Sequence, residues 1–232
     1  MTRDRPEADG DSGTAHDPGT EPDTELDDTI DAILDAYALK DERRTGWQLR
    51  GVDDPESVAG HTWGVAYLVL ALGDRFDAEL GGVDLGRALR IAVVHDVAEA
   101  ETGDVATRAD TTADTPDPTE KVAAEREAIA DLTAPLPARV RDAFEEYAAR
   151  ETPAAIVVKE CDLLDTCVQA LVYERNERYD PDAGDPEVFR EYDGLDEFFE
   201  TTVRRLRTET GRSVFERLHE RYRAERSTGF TG

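Results

Sequence analysis

The sequence predicts an all-α fold, a helical bundle occupying residues 25–226 of a 232-residue chain. Two observations predict it. Apolar residues recur at spacings of three and four in several long windows, the period of a helix with one buried face. No run of β-branched residues alternates between turn signals, as a half-buried strand would require.

Residues 1–24 read as a disordered acidic tail, whose only aliphatic side chains are Met1, Ala8 and Ala15, too few to offset the entropy of ordering. The domain is placed at 25–232. Its first helix carries Leu26, Ile30, Ile33, Leu34 and Tyr37 on one stripe and stops before the charged run Lys40 to Arg44. A loop from Thr45 to Pro55 follows, with Gly46, Trp47 and Gly51. Pro55-Glu56-Ser57 opens a second helix with Val58, His61, Val65, Leu68, Val69 and Leu72 on one face, and Gly81-Gly82 ends it. A third helix is expected from Asp84 to Glu99, then a long Thr/Asp/Pro loop from Thr107 to Thr119, of a length more often functional than idle. Four further helices are expected at 119–132, 136–150, 153–178 and 195–226, the last broken near Gly211.

Charge narrows the function. With 54 Asp and Glu against 27 Lys and Arg, the formal net charge is −27. That argues against a duplex nucleic-acid partner, which needs a basic surface to release counterions. A membrane span needs about 18 consecutive apolar residues, whereas the longest run here, Val65 to Leu72, has eight. With no apolar signal core after the N-terminus, the expected location is cytoplasmic. Cys161 and Cys167 suit reduced, packed thiols. Only three of the 27 basic residues are lysine, and carboxylate-rich, lysine-poor surfaces suit high ionic strength, where self-repulsion is screened. Salt adaptation is the expectation, an ordinary acidic protein the alternative. The region 201–232 is instead basic (8 Arg, 4 Glu), and Val214, Phe215, Leu218 and Tyr222 there form a stripe expected to pack on the core or on a second subunit.

Four features carry chemistry: His61 within an apolar helix, His95-Asp96 at the end of another, Glu99 and Asp104 just after it, and Asp162. Each alone is weak. Together they change the reading, because two histidines in strongly apolar helices are costly to bury without partners. Asp96 also sits at the helix end that disfavours a carboxylate. A divalent cation repairs both, and imidazole with carboxylate suits Mn, Co, Fe, Zn or Mg. The ligands would have to converge through helix packing.

The order His61, His95-Asp96, Asp162 resembles the H…HD…D signature of the HD-domain metal-dependent phosphohydrolases. The strings Arg44-Thr45-Gly46-Trp47, Pro55-Glu56-Ser57-Val58-Ala59-Gly60-His61, Val94-His95-Asp96-Val97-Ala98-Glu99, Gly103-Asp104-Val105 and Val158-Lys159-Glu160-Cys161-Asp162 are similar to the 5′-deoxynucleotidase branch. The likeness runs from about Arg44 to Glu174. It implies an HD-domain helical bundle and a small-molecule nucleotide as substrate, with neither nucleic acid nor membrane as partner, and a homodimer. It implies that His61, His95, Asp96 and Asp162 hold a divalent metal ion and that Glu99 orients or deprotonates the attacking water. Arg44 and Trp47 would hold phosphate and deoxyribose. Asp104 would face the sugar 3′-hydroxyl or join Glu99 and the Val105 carbonyl around a second ion. Two departures stand out: Gly60 where the family usually has an acidic residue, and Asp165 where a Glu is common.

The chemistry is consistent with the charge. A phosphate monoester dianion needs a local positive site in this chain, which metal and Arg44 would supply. Another HD phosphohydrolase, acting on a nucleoside triphosphate, alarmone or cyclic nucleotide, and a non-catalytic metal-binding HD protein stay open. A di-iron oxygenase would need further histidines between the HD pair and the last Asp, and none lies between His95 and His219.

Overall fold

The computed structural model describes residues 23–109, 118–179 and 192–229. Residues 1–22 of the expected 1–24 tail, with His16, and most of the Thr107–Thr119 loop lie outside the described residues; the tail's last two residues, Asp23 and Thr24, cap and open the first helix instead. Those described form ten α-helices and no named strand, with isolated β-bridges only at Arg43–Ser57 and Val52–Tyr179.

Capping side chains at Asp23, Ser57, Asp84 and Thr152 open four of the described helices. Asp23 accepts from the Leu26 N–H to open α1 (Thr24–Ala36), which tightens into a 3₁₀ turn at Tyr37–Lys40. The segment expected to be loop holds a short helix, α2 (Thr45–Leu49). Ser57 caps α3 (Val58–Leu80) through the Gly60 N–H, and Gly81 ends it at φ 69°. Asp84 caps α4 (Leu85–Val94). Where one helix to Glu99 was expected, α4 stops at Val94 and the chain turns through His95–Ala98 into α5 (Glu99–Thr102). The turn is held by i−3 bonds, Val97 N–H to Val94 O and Glu99 N–H to Asp96 O. Then come α6 (Pro118–Leu132), α7 (Arg139–Ala149) and α8 (Pro153–Arg175), the last opened by Thr152 with Pro at its first position. They are followed by α9 (Asp196–Val203) and α10 (Glu209–Gly229).

Helix α8 is the axis of the bundle. Val157, Val158, Leu163, Leu164, Ala170 and Leu171 are all buried on it, so it is apolar nearly all round, as a central helix must be. It packs against α3 and α4 on one side and α10 on the other. Phe215 and Tyr222 bury the α10 stripe in this core, and His219 stacks on Phe199. Cys161 and Cys167 are fully buried free thiols, and burial pushes Cys167 up to about 12, so both serve packing. The α1 stripe behaves differently: Leu26, Ile30, Ile33, Leu34 and Tyr37 are 44–60% exposed, and only Ala32 of that helix is buried.

The expected break near Gly211 falls earlier, at Arg204–Thr208, and Gly211 lies inside α10. Buried Glu160 on α8 sets this arrangement. Its carboxylate accepts from Arg207 N–H, Thr208 N–H and Thr208 Oγ1–H, anchoring the start of α10. A Cβ on Gly211 would come within 2.1 Å of Glu160 Oε2 and 2.8 Å of Thr208 Oγ1. Gly211→Ala is therefore expected to destabilise the fold by about 2 kcal/mol despite alanine's better helix propensity. Urea unfolding of the two proteins at one salt concentration measures this, and an equal or higher midpoint for the variant would refute the clash.

Candidate metal centre

The HD turn is what brings His95 and Asp96 to bear on one point. Adjacent residues of a continuous α-helix project about 100° apart. Because α4 ends at Val94, His95 Nε2 and Asp96 Oδ2 instead lie 3.2 Å apart. From α3, His61 Nε2 comes to 3.6 Å from the same Asp96 oxygen, and from α8, Asp162 Oδ1 lies 3.2 Å from His61 Nε2. One donor atom each from His61, His95 and Asp162 falls within 4.8 Å of the others.

Each ligand candidate is held from behind. His95 Nδ1 is 2.8 Å from the Ala92 carbonyl and His61 Nδ1 2.7 Å from Asp165 Oδ2. Both partners accept, so each Nδ1 carries the proton and each Nε2 turns its lone pair to the centre. Tyr147 (2.6 Å) and Lys159 (2.5 Å) both donate to Asp162 Oδ2, leaving Oδ1 toward His61. Asp165 is admitted by a glycine, since a Cβ at Gly64 would stand 2.1 Å from Asp165 Oδ1.

Without a cation, the carboxylates of the site draw a proton onto His61 in its place. Burial and Arg44 both oppose charge on His61, yet its contacts with Asp162 and Asp165 push it up to about 10. Burial raises Asp96, but the neighbouring His95 and then His61 hold it well below the carboxylate range. Burial likewise opposes the charged form of Asp162, and Lys159 and His61 overcome it. Glu99 goes the other way: burial, then Asp96 and Asp104, push it up to about 9.

The residues fit a divalent cation. His61 Nε2, His95 Nε2 and Glu99 Oε2 are buried and make no hydrogen bond, an arrangement costly in a dry interior unless a cation takes the lone pairs. Two imidazoles and two carboxylates form a borderline-to-hard donor set.

The centre opens into a cavity of about 310 Å³, which Arg44, Trp47, Glu99, Asp104, Val105 and Lys121 also line. Arg44 Nη1 lies 2.9 Å from Asp104 Oδ1 and 3.8 Å from Asp96 Oδ2. Asp104 is built into the wall: its Oδ2 accepts from the Thr45 N–H at 2.6 Å, and its own N–H donates to Glu42. Trp47 is 2% exposed, with its ring 3.9 Å from that of Phe198 and edge-on to Tyr173 at 5.2 Å. Its indole N–H donates to Glu56 at 3.1 Å. Lys121 pairs with Glu125 at 3.5 Å.

Every sequence-predicted site residue thus falls at this centre or on its cavity wall. Tyr147, Lys159, Gly64 and Glu42 were missed as supports. Asp165, which stood out in the sequence as a departure one helical turn after Asp162, backs His61, and Gly64, one turn from His61, admits it. Tyr147 and Glu42 arrive from distant elements with no local signal.

The chain matches the HD domain family over residues 36–202. It belongs to the HD-domain family. As an HD-domain protein it is 38% identical to 5′-deoxynucleotidase HDDC2 of Xenopus laevis over 144 residues, 60% of this chain and 66% of the relative. It is 32% identical to 5′-deoxynucleotidase hdd1 of Schizosaccharomyces pombe over 145 residues, 59% of this chain and 68% of that one. The match therefore spans about two thirds of each relative. Among solved structures, a Pyrococcus horikoshii protein superposes with a TM-score of 0.61 at 29% identity, covering 84% of this chain and 98% of its own. The HD-domain assignment agrees with the helical bundle. Among the described residues no helix is long and apolar enough to cross a membrane.

Proposed function

We propose that this chain is a metal-dependent 5′-deoxynucleotidase, a phosphomonoester hydrolase that converts deoxyribonucleoside 5′-monophosphates to deoxynucleoside and phosphate. The observation that carries it is the convergence of two buried, unpartnered imidazole nitrogens with Asp96 and Asp162 beside Arg44 on one cavity. The names of the relatives point to the same reaction.

His61, His95, Asp96 and Asp162 hold the ion, which when bound neutralises phosphate charge and lowers the pKa of water. Arg44 offers its guanidinium fork to phosphate oxygens, fixed in place by Asp104. Glu99 takes the proton of the attacking water, and a carboxyl raised to about 9 is a strong base once ionised. Trp47 walls the deoxyribose side, where its packed indole leaves no slack for a 2′-hydroxyl. Asp104 faces the sugar 3′-hydroxyl or, with Glu99 and the Val105 carbonyl, a second ion. The metal is Co, Mn, Mg, Zn or Fe, the compartment is cytoplasmic, the assembly a homodimer, and the acidic surface an adaptation to salt.

The test is to strip the protein with chelator, restore each ion in high salt, and measure phosphate released from paired dNMP and NMP substrates. Metal-dependent release from dNMP, and less from NMP, is expected. No release from any dNMP ends the proposal, and equal rates on ribonucleotides end the role given to Trp47. His95→Ala should lose both metal and activity.

A further inference from the structure

Beyond Asp162 the cavity wall changes character. Arg150, Lys159 and Arg205 line it there, and the same three line an adjoining cavity of about 260 Å³. Lys159 Nζ lies 5.5 Å and Arg150 Cζ 5.9 Å from the centroid of the one Tyr147 ring. Lys159 spends two of its three N–H groups on Asp162 and Tyr147, leaving one. Arg150 and Arg205 have no carboxylate partner among the described residues, and Arg150 Nε is buried without a hydrogen bond.

The chain carries twice as many acids as bases. Some of its exposed arginines are paired, as Arg204 is with Glu200 at 2.7 Å and Arg175 with Glu225 at 2.6 Å; Arg150 and Arg205 instead share one cavity wall with Lys159. Two unpaired guanidiniums beside a lysine repel one another unless an anion sits between them. Arg150 also occupies the left-handed C-cap of α7 at φ 54°, ψ 36°, a position that glycine fills without strain and arginine does not. The chain keeps a charged side chain there at a conformational cost.

We propose that Arg150, Lys159 and Arg205 form an anion subsite that holds a phosphate group next to the metal centre. Guanidinium forks match two oxygens of a tetrahedral phosphate, and the free Lys159 N–H adds a third donor. The phosphate is either the released product on its way out or a second phosphate of a nucleotide substrate. The choice of phosphate as anion rests on the proposed function; the binding measurement does not.

The experiment titrates inorganic phosphate into chelator-stripped protein and follows the ³¹P linewidth. Arg205→Gln and Arg150→Gly are compared with the wild type, and Arg217→Gln, at an exposed position outside both cavities, is the control for a general loss of charge. Glycine keeps the left-handed backbone without the cation, so Arg150→Gly retains the fold. A weakening of phosphate binding of about tenfold in each subsite variant, and none in Arg217→Gln, is expected. The metal-loaded enzyme is then assayed with a deoxynucleoside 5′-monophosphate and the matching 5′-diphosphate. Weaker phosphate binding and weaker product inhibition identify the released product; a KM raised for the diphosphate alone identifies a second substrate phosphate. Phosphate affinity, product inhibition and diphosphate KM all unchanged in both variants would overturn the subsite. Absence of dNMP turnover with phosphate binding intact would instead count against the proposed function alone.

Discussion

Glu99→Gln is expected to lower dNMP hydrolysis about a thousandfold, the size of a lost proton-transfer group, while making the metal-free protein more stable. The two effects share one cause. Glu99 is buried with Oε2 unpartnered, and burial with Asp96 and Asp104 raises its carboxyl to about 9. An unfolded glutamate ionises near its reference value of about 4.3. Below that value the group is protonated in both states and folding is unpenalised. As pH rises toward 9 the unfolded chain gains stability from ionising and the folded chain does not, so stability is lost across that window. Glutamine removes the penalty. The variant and wild type should unfold alike near pH 4, and the variant should be ahead by about 4 kcal/mol at pH 7 and by more at pH 8. Chelated proteins unfolded in urea at both pH values give the comparison. A variant that is no more stable at pH 8 would mean that Glu99 ionises as readily in the folded chain as in the unfolded one.

Gly64→Ala is expected to weaken metal binding by about 10- to 100-fold without touching any ligand. The new methyl would meet Asp165 Oδ1 at 2.1 Å and its Cγ at 2.9 Å, so the carboxylate must leave its place. His61 Nδ1 then loses the acceptor that fixes its tautomer and ring orientation. Asp165→Asn should produce the same loss by replacing the anionic acceptor, with no clash on α3. Titrating the stripped proteins with Co²⁺ and following its visible absorption gives the affinities. Wild-type affinity in both variants would show that His61 needs no support from behind.

These glycine and carboxylate effects mark the border of what sequence reasoning reached. The ligand candidates were legible because His61, His95 and Asp162 sit in apolar helices where a polar group demands a reason, and because their order matches a known signature. The helices were legible from periodicity and from starts such as Ser57 and Asp84. The α4 stop at Val94 was not, since no Gly or Pro marks it and the break is sustained by the turn's own i−3 bonds. Gly211 misled for the opposite reason: a glycine can record a close neighbour, here Glu160, as well as a chain break. The α1 stripe gave the helix correctly and its surroundings not at all, because period reports a face and not what covers it. Tyr147 on Asp162 joins elements by packing alone, and neither residue's neighbourhood in sequence announces it.

The indole N–H of Trp47 has a consequence for how selectivity is read. It ends on Glu56, and Glu56 belongs with His61 and Asp165 to a second group of donors lying within 4.8 Å of one another. A single polar spine therefore runs from the wall proposed to judge the sugar to the back of the imidazole proposed to grip the ion. On the proposed function, sugar discrimination and metal affinity would be joined through it, and a change at residue 47 is expected to disturb Co²⁺ affinity as well as the cavity.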